Sequence, residues 1–215
     1  MKARYEITPL EALQKKLEGK VQINYTKGYD CPEPSWKKGF PPILMNETTS
    51  DSLLNEAIEV AKKSDCVVMF GGLNHFWGND SEGADKPDMK LPYGQDKLIE
   101  EVAKVNPNIV VVLLCGSPVE IGSWYQSTPA LIQNSYLGME EGTALAEVLL
   151  GEVNPSGKLT MTFPKKLEDS PAHAIGDYPG FWGRVYYKDS LYVGYRYFDS
   201  KNVEPMFPFG YGLSY

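Results

Sequence analysis

Between Asp80 and Asp88 the stretch DSEGADKPD places four carboxylates, Asp80, Glu82, Asp85 and Asp88, around one cation, Lys86. Carboxylates this close can bind a cation, move protons, or simply keep a loop solvated. A calcium loop would need the D-x-[DN]-x-[DN]-G spacing and a closing Glu, but Gly83 follows Glu82, and Lys86 and Pro87 interrupt the series. A phosphate cradle is disfavoured because FGGLNHFWG matches neither glycine-rich phosphate motif and the residues after it are anionic. A receiver-type phosphorylated aspartate usually needs further acids at an earlier strand. The two histidines, His75 and His173, have no G-x-S-x-G partner, and a zinc centre would need several His or Cys ligands, whereas two of the three cysteines sit in apolar runs and read as core residues. What remains is carboxylate chemistry on a neutral, polyhydroxylated substrate, for which an acid flanked by the aromatics Phe76 and Trp77 is suited. Two plainer readings stay open at this level: a solvated acidic loop, and Asp80 and Glu82 acting as a pair by themselves.

The elements that must hold this stretch follow a strand–helix alternation. ITPLEALQKKLEGK carries Thr8 as N-cap, Pro9 in the first turn, Glu11 completing a capping box and Gly19 as its stop, so it predicts a helix leading into a strand, VQINYT. Residues 28–48 hold four prolines without periodicity and read as a loop. SLLNEAIEVAKKS then puts Leu54, Ala57, Ile58 and Ala61 on one helical face ahead of the apolar run CVVMFGG. The alternation repeats with YGQDKLIEEVAKV before IVVVLLC, PVEIGSWYQ before ALIQNSY, and EEGTALAEVLLG ending at Gly151. Unbroken apolar strands between helices predict an α/β three-layer sandwich: a mostly parallel sheet with helices on both faces. NPSGKLTMTFP adds an antiparallel edge strand, and 171–215 reads as an aromatic-rich tail with 13 of the chain's 26 aromatics. Those rings suit either a sugar-stacking platform or the pinning of irregular chain, and the second is preferred. In an open α/β sheet ligands collect beyond the carboxyl ends of the strands, which is where residues 74–92 leave CVVMFGG.

Composition narrows the function classes. With 215 residues, 42% of them apolar, the chain can bury the core of one domain, residues 1–215. A net charge of -7 with no basic stripe argues against a nucleic-acid partner. No apolar run approaches the ~18 residues of a membrane span and MKARYEITPLEAL has no leader-like core, so the expectation is a soluble, cytoplasmic chain without membrane contact. Cys31, Cys66 and Cys115 are expected to be reduced core residues.

Four long segments, GLNHFWGNDSEGADKPDMKLPYGQDKLI, NPNIVVVLLCGSPVEIGSW, ALIQNSYLGMEEGTALAEVLLGEVNPSGKLTMTFP and YVGYRYFDSKNVEPMFPFGYGLSY, resemble in order the C-terminal domain of glycoside hydrolase family 3, the β-glucosidase type. The resemblance runs from about Thr8 to Tyr215. It implies a sandwich whose partner is an N-terminal (β/α)8-type barrel carrying the aspartate nucleophile, with a β-glucoside or oligosaccharide as substrate and no cofactor or metal. The family loop W-E-x-E-G-x-D-R-x-x-M-x-L-P falls on Asn79 to Pro92, and the resemblance implies Glu82 as general acid/base and Asp80, Trp77 and Phe76 as substrate-binding residues. Asp80 stands where that pattern has Glu, and Lys86 where it has Arg; YLGMEEG lacks the Pro and Gln of a similar Y-P-G-Q-E-G segment. A lapsed, glycan-binding or scaffold module of the same fold is the alternative function. A sandwich without its barrel should also leave an apolar face bare, expected around Phe76, Trp77 and residues 32–42, which a homodimer would cover.

Overall fold

The computed structural model describes residues 3–31, 50–75, 79–81, 85–175 and 178–215. Its frame is α1 (Pro9–Leu17), α2 (Asp51–Lys62), β1 (Val67–Gly72), α3 (Gln95–Val105), β2 (Ile109–Leu114), β3 (Ala130–Asn134) and α4 (Glu141–Leu149), followed by α5 (Pro171–Ala174) and α6 (Tyr195–Lys201). Among the described residues the sheet has three strands in the order β1-β2-β3, all parallel. The register sets Met69 beside Val111 and Leu131, and Phe70 beside Val112 and Ile132, so alternate residues face opposite sides.

One side is packed by α2 and α3. Leu54, Ala57 and Ala61 of α2, with Ile58 partly buried, and Leu98, Ile99 and Val102 of α3 join Met69, Ile109, Val111 and Leu113 in one apolar cluster. Val112, on the opposite side, is equally buried, so both faces are covered, as the unbroken apolar runs require. A second helical pair, α1 on α4, completes the layers. Helix α1 starts as its sequence dictates: Thr8 Oγ1 accepts from Glu11 N–H, and the Glu11 carboxylate accepts from Thr8 N–H. Among the described residues no helix is long and apolar enough to cross a membrane.

Several expectations are corrected. VQINYT is not a strand: Val21, Ile23 and Tyr25 alternate with polar residues, but Val21 and Tyr25 stay exposed with no described strand beside them, and Gln22 Nε2 donates to Asn24 Oδ1 at 3.0 Å. PVEIGSWYQ is not a helix, because Pro118 and Gly122 interrupt it; Val119, Ile121 and Trp124 bury themselves from a loop that keeps only a short 3-10 turn, Tyr125–Ser127. The antiparallel edge segment shrinks to a bridge between Phe163 and Phe207, since Pro208 and Gly210 bend its partner away. The tail is not all coil: α6 forms where Tyr197 and Phe198 find burial. Of the cysteines, Cys115 is buried and Cys31 half-buried, whereas Cys66 precedes the first paired residue of β1 and is exposed. None of the three forms a disulfide.

Two polar side chains, Gln95 buried and Asp96 half-buried, tie the layers together. Gln95, fully buried at the start of α3, accepts from Gly72 N–H at 2.7 Å and donates to Gly72 O at 2.9 Å and Pro92 O at 3.0 Å. Its neighbour Asp96 accepts from the Trp124 indole at 2.6 Å, and burial raises its carboxyl to about 6 despite that bond.

Each tie yields a prediction. Gln95→Leu would strand the main-chain groups of Gly72 and is expected to cost about 2–4 kcal/mol in urea unfolding; a change within error would mean that Gly72 finds other partners. For Asp96 the raised folded value means that the protonated form is favoured. Its contribution is fully present below the unfolded value near 4 and is lost as pH rises through about 6. Asp96→Asn, which keeps an acceptor for Trp124, is therefore expected to gain on the order of 2 kcal/mol over wild type at pH 8 and nothing at pH 4. Parallel unfolding curves at both pH values check the sign.

The acidic stretch at the carboxyl ends of the strands

The candidate site begins where β1 stops. At Gly72, φ is +134° and a Cβ would lie 2.2 Å from Leu114 O, so only glycine lets the chain leave the sheet this close to β2. Leu73 N–H adds a last bond to Leu114 O at 2.9 Å. The chain then closes on itself: Asp80 N–H donates to Asn74 O at 2.9 Å, Asn79 Nδ2 to Asn74 Oδ1 at 3.0 Å, and His75 Nδ1 lies 3.0 Å from Asp80 O.

Asp80 is the centre of this arrangement. Its Oδ2 accepts from Gly116 N–H at 2.8 Å and from the Tyr136 hydroxyl at 2.7 Å, and Ser117 Oγ stands 3.5 Å from Oδ1. Gly116 follows β2 and Tyr136 follows β3, so one carboxylate joins the ends of all three strands. A Cβ on Gly116 would meet Asp80 Oδ2 at 2.7 Å, so the pin needs glycine there. The Tyr136 ring packs on His75 with centroids 4.7 Å apart, and partial burial and the Asp80 charge raise its phenol well above the ordinary value.

The other described acids are engaged too. Asp85 accepts from the Tyr178 hydroxyl, and Asp88 Oδ1 accepts from Lys90 N–H at 2.9 Å, turning the chain toward the buried Met89 and Leu91. Among the described residues Lys86 pairs with no carboxylate: its ammonium reaches Pro118 O at 3.3 Å, and burial lowers its pKa against the opposing pull of Cys115, Asp80 and Asp88. Phe76, Trp77 and Glu82, and the Pro-rich segment 32–42, lie outside the described residues.

Beside the acidic stretch runs a cleft of about 630 Å³, lined among others by Asp80, Asp85, Lys86, Tyr178, Tyr195 and Phe209. Sequence reasoning missed this cleft. Its only signal was the aromatic tail, and that tail divides. Phe207 packs edge to face on Tyr125 at 5.4 Å and stacks on Tyr211 at 4.9 Å, which is the pinning role, while Tyr195 and Phe209 line the cleft.

Comparison with known proteins fits this geometry. The chain is 43% identical to a β-glucosidase of Bacteroides ovatus over 217 aligned residues, covering 100% of this chain and 28% of that protein. It is 45% identical to thermostable β-glucosidase B of Acetivibrio thermocellus over 205 residues, covering 95% and 25%. A GH3 β-glucosidase structure from Bifidobacterium adolescentis superposes with a TM-score of 0.83 at 34% identity, covering 99% of this chain and 28% of that one. The chain thus spans about a quarter of the length of these relatives. The family model for the glycosyl hydrolase family 3 C-terminal domain matches residues 1–215, and with that identity along the whole chain it shows that this protein belongs to that family.

Proposed function

We propose that this chain is a single sandwich domain that supplies the general acid/base of a retaining β-glucosidase-type hydrolase, with Glu82 in that role. The nucleophile would come from a (β/α)8-type barrel domain, and the substrate would be a β-glucoside or a related oligosaccharide. The observation that carries this reading is the pin at Asp80. It holds the acidic stretch at the carboxyl ends of three parallel strands, and Glu82 follows two residues later. The names of the relatives, all β-glucosidases, support the reaction class, and their greater length supports a second domain.

A retaining glycosidase sets two carboxyl groups ~5–5.5 Å apart across the glycosidic bond, one attacking and one giving its proton to the departing oxygen. Asp80 is poorly placed to be either, because Gly116, Tyr136 and Ser117 already take up its oxygens. It serves better as a positioning residue than as a sugar ligand. Asp85 and Asp88 likewise have partners within the fold, and Glu82 takes the role from its place in the loop that resembles the family pattern. Phe76 and Trp77, beside it in sequence, would offer apolar surface to the sugar or its aglycone. Glu82 needs a raised pKa to hold a proton near neutrality, and burial under substrate together with the nucleophile's charge would supply it.

The test is a chimera in which this chain replaces the matching quarter of the Bacteroides ovatus relative. Glu82→Gln is expected to lower kcat by about 10²–10⁴-fold on alkyl glucosides and to flatten the alkaline limb of the pH profile. Asp80→Ala, with its pin gone, is expected to lower kcat about tenfold or more while leaving the shape of that profile intact. The 215-residue chain by itself is expected to fold without hydrolysing aryl β-glucosides. Turnover by the pure chain that Glu82→Gln abolishes would overturn the division of the site between two domains.

A further inference from the structure

The largest exposed apolar side chains among the described residues gather on one short stretch of the tail. Phe181 and Trp182 are 79% and 86% exposed, Tyr187 92% and Leu191 75%. This stretch is built rather than loose: Phe181 N–H donates to Arg184 O at 2.9 Å, Arg184 N–H returns to Phe181 O at 3.1 Å, and Tyr192 N–H closes on Asp189 O at 2.8 Å. Phe181 and Trp182 meet edge to face with centroids 6.0 Å apart, and Trp182 holds φ at +54°, an uncommon conformation for so large a residue. Other rings of the tail, such as Tyr197 and Phe198, are buried within the domain, whereas Phe181, Trp182, Tyr187 and Leu191 stay exposed. Tyr, Trp, Phe and Arg are the residues that carry binding energy at protein interfaces.

Both ends of the hairpin stand on the wall of the cleft beside the acidic stretch. Tyr178 donates its hydroxyl to Asp85 at one end, and Tyr195 lines the same cleft at the other. The matched part is 28% of the length of the Bacteroides and Bifidobacterium relatives, so roughly three quarters of each of those proteins lies outside it.

We propose that the hairpin of residues 178–193 seats this domain against the remainder of a family 3 polypeptide, and that the Tyr178–Asp85 bond carries that seating into the acidic stretch. This rests on the reading above that a second domain completes the site. The occupant is that second domain because the hairpin rises from the cleft wall, where the completing residues must arrive. Docking there would bury the rings and, through Asp85, fix the segment next to Glu82. Tyr178 is a positioning residue in this scheme, since it acts through Asp85.

Oxidative footprinting read by mass spectrometry compares the free chain with the chimera described above. Labelling of Trp182 and Tyr187 is expected to fall about fivefold or more in the chimera, as burial at an interface requires. Trp182→Ser with Tyr187→Ser is expected to leave the melting temperature of the free chain unchanged, because both rings are exposed, yet to lower chimera activity about tenfold. Tyr178→Phe should keep the footprint protected while lowering kcat and not raising KM. An active chimera whose hairpin is labelled as in the free chain would overturn the proposal, and would leave the functional reading standing if Glu82→Gln still abolishes turnover. A protected hairpin in an inactive chimera would instead sink the functional reading and keep the seating. Protection already present in the free chain, rising with concentration and lost with the double substitution, would make a second copy the occupant and overturn the proposal. Should the fused protein fail to assemble, the free chain is added in trans to the remaining part of the relative, and equal binding by wild type and the double variant refutes the seating.

Discussion

Three parallel strands that stop together leave main-chain groups facing the same edge, and the site depends on how that edge is closed. Asp80 closes it from above, taking Gly116 N–H and the Tyr136 hydroxyl on one oxygen. Gln95 closes it from the side, satisfying both main-chain groups of Gly72 from the first residue of α3. Neither contact is strong in net terms, about 1–3 kcal/mol each when a charge or a buried amide is involved. Their weight lies in what an unsatisfied group at a buried sheet edge would cost, and in where they hold the chain that follows.

That closure divides the acids of the stretch by role. Asp80 ties strands, Asp85 ties the tail through Tyr178, and Asp88 caps the turn that returns the chain to the core. Lys86, sunk beside Pro118 O and lowered by burial, spreads a positive charge beneath them without binding any one. A cluster that reads as repulsive is therefore distributed over separate partners, which keeps like charges from competing for one site.

The aromatic tail shows a similar division. Rings that reach the body of the domain pack there, as Phe207 does against Tyr125 and Phe163. On the 178–193 hairpin Phe181, Trp182 and Tyr187 stay 79%, 86% and 92% exposed, and two rings that line the cleft, Tyr195 and Phe209, stack on each other at 5.2 Å. Burial of a large ring is favourable only when a matching surface exists, so the distribution of exposure reports where this domain's own surface ends.

Much of the fold was legible in the chain itself. The capping box of Thr8 and Glu11, the stripe Leu54–Ala57–Ala61 and the runs VVMF and IVVVLL are local patterns whose period dictates helix or strand, and the structure follows them. Where local pattern misled, tertiary contact decided: VQINYT alternates Val21, Ile23 and Tyr25 with polar residues yet leaves Val21 and Tyr25 exposed, and PVEIGSWYQ buries Trp124 and Val119 from a loop rather than a helix. The place of the acidic stretch, beyond the carboxyl end of β1, also followed from sequence, since strand and loop are contiguous. Which acid does what did not follow. The partners of Asp80 and Asp85, namely Gly116, Tyr136 and Tyr178, lie 36, 56 and 93 residues away along the chain, and no local pattern carries a pairing across that distance. Only the parallel register of the strands and the return of the tail bring those donors to the loop, so the sequence by itself determined where the acids stand and the tertiary structure decided which were already engaged.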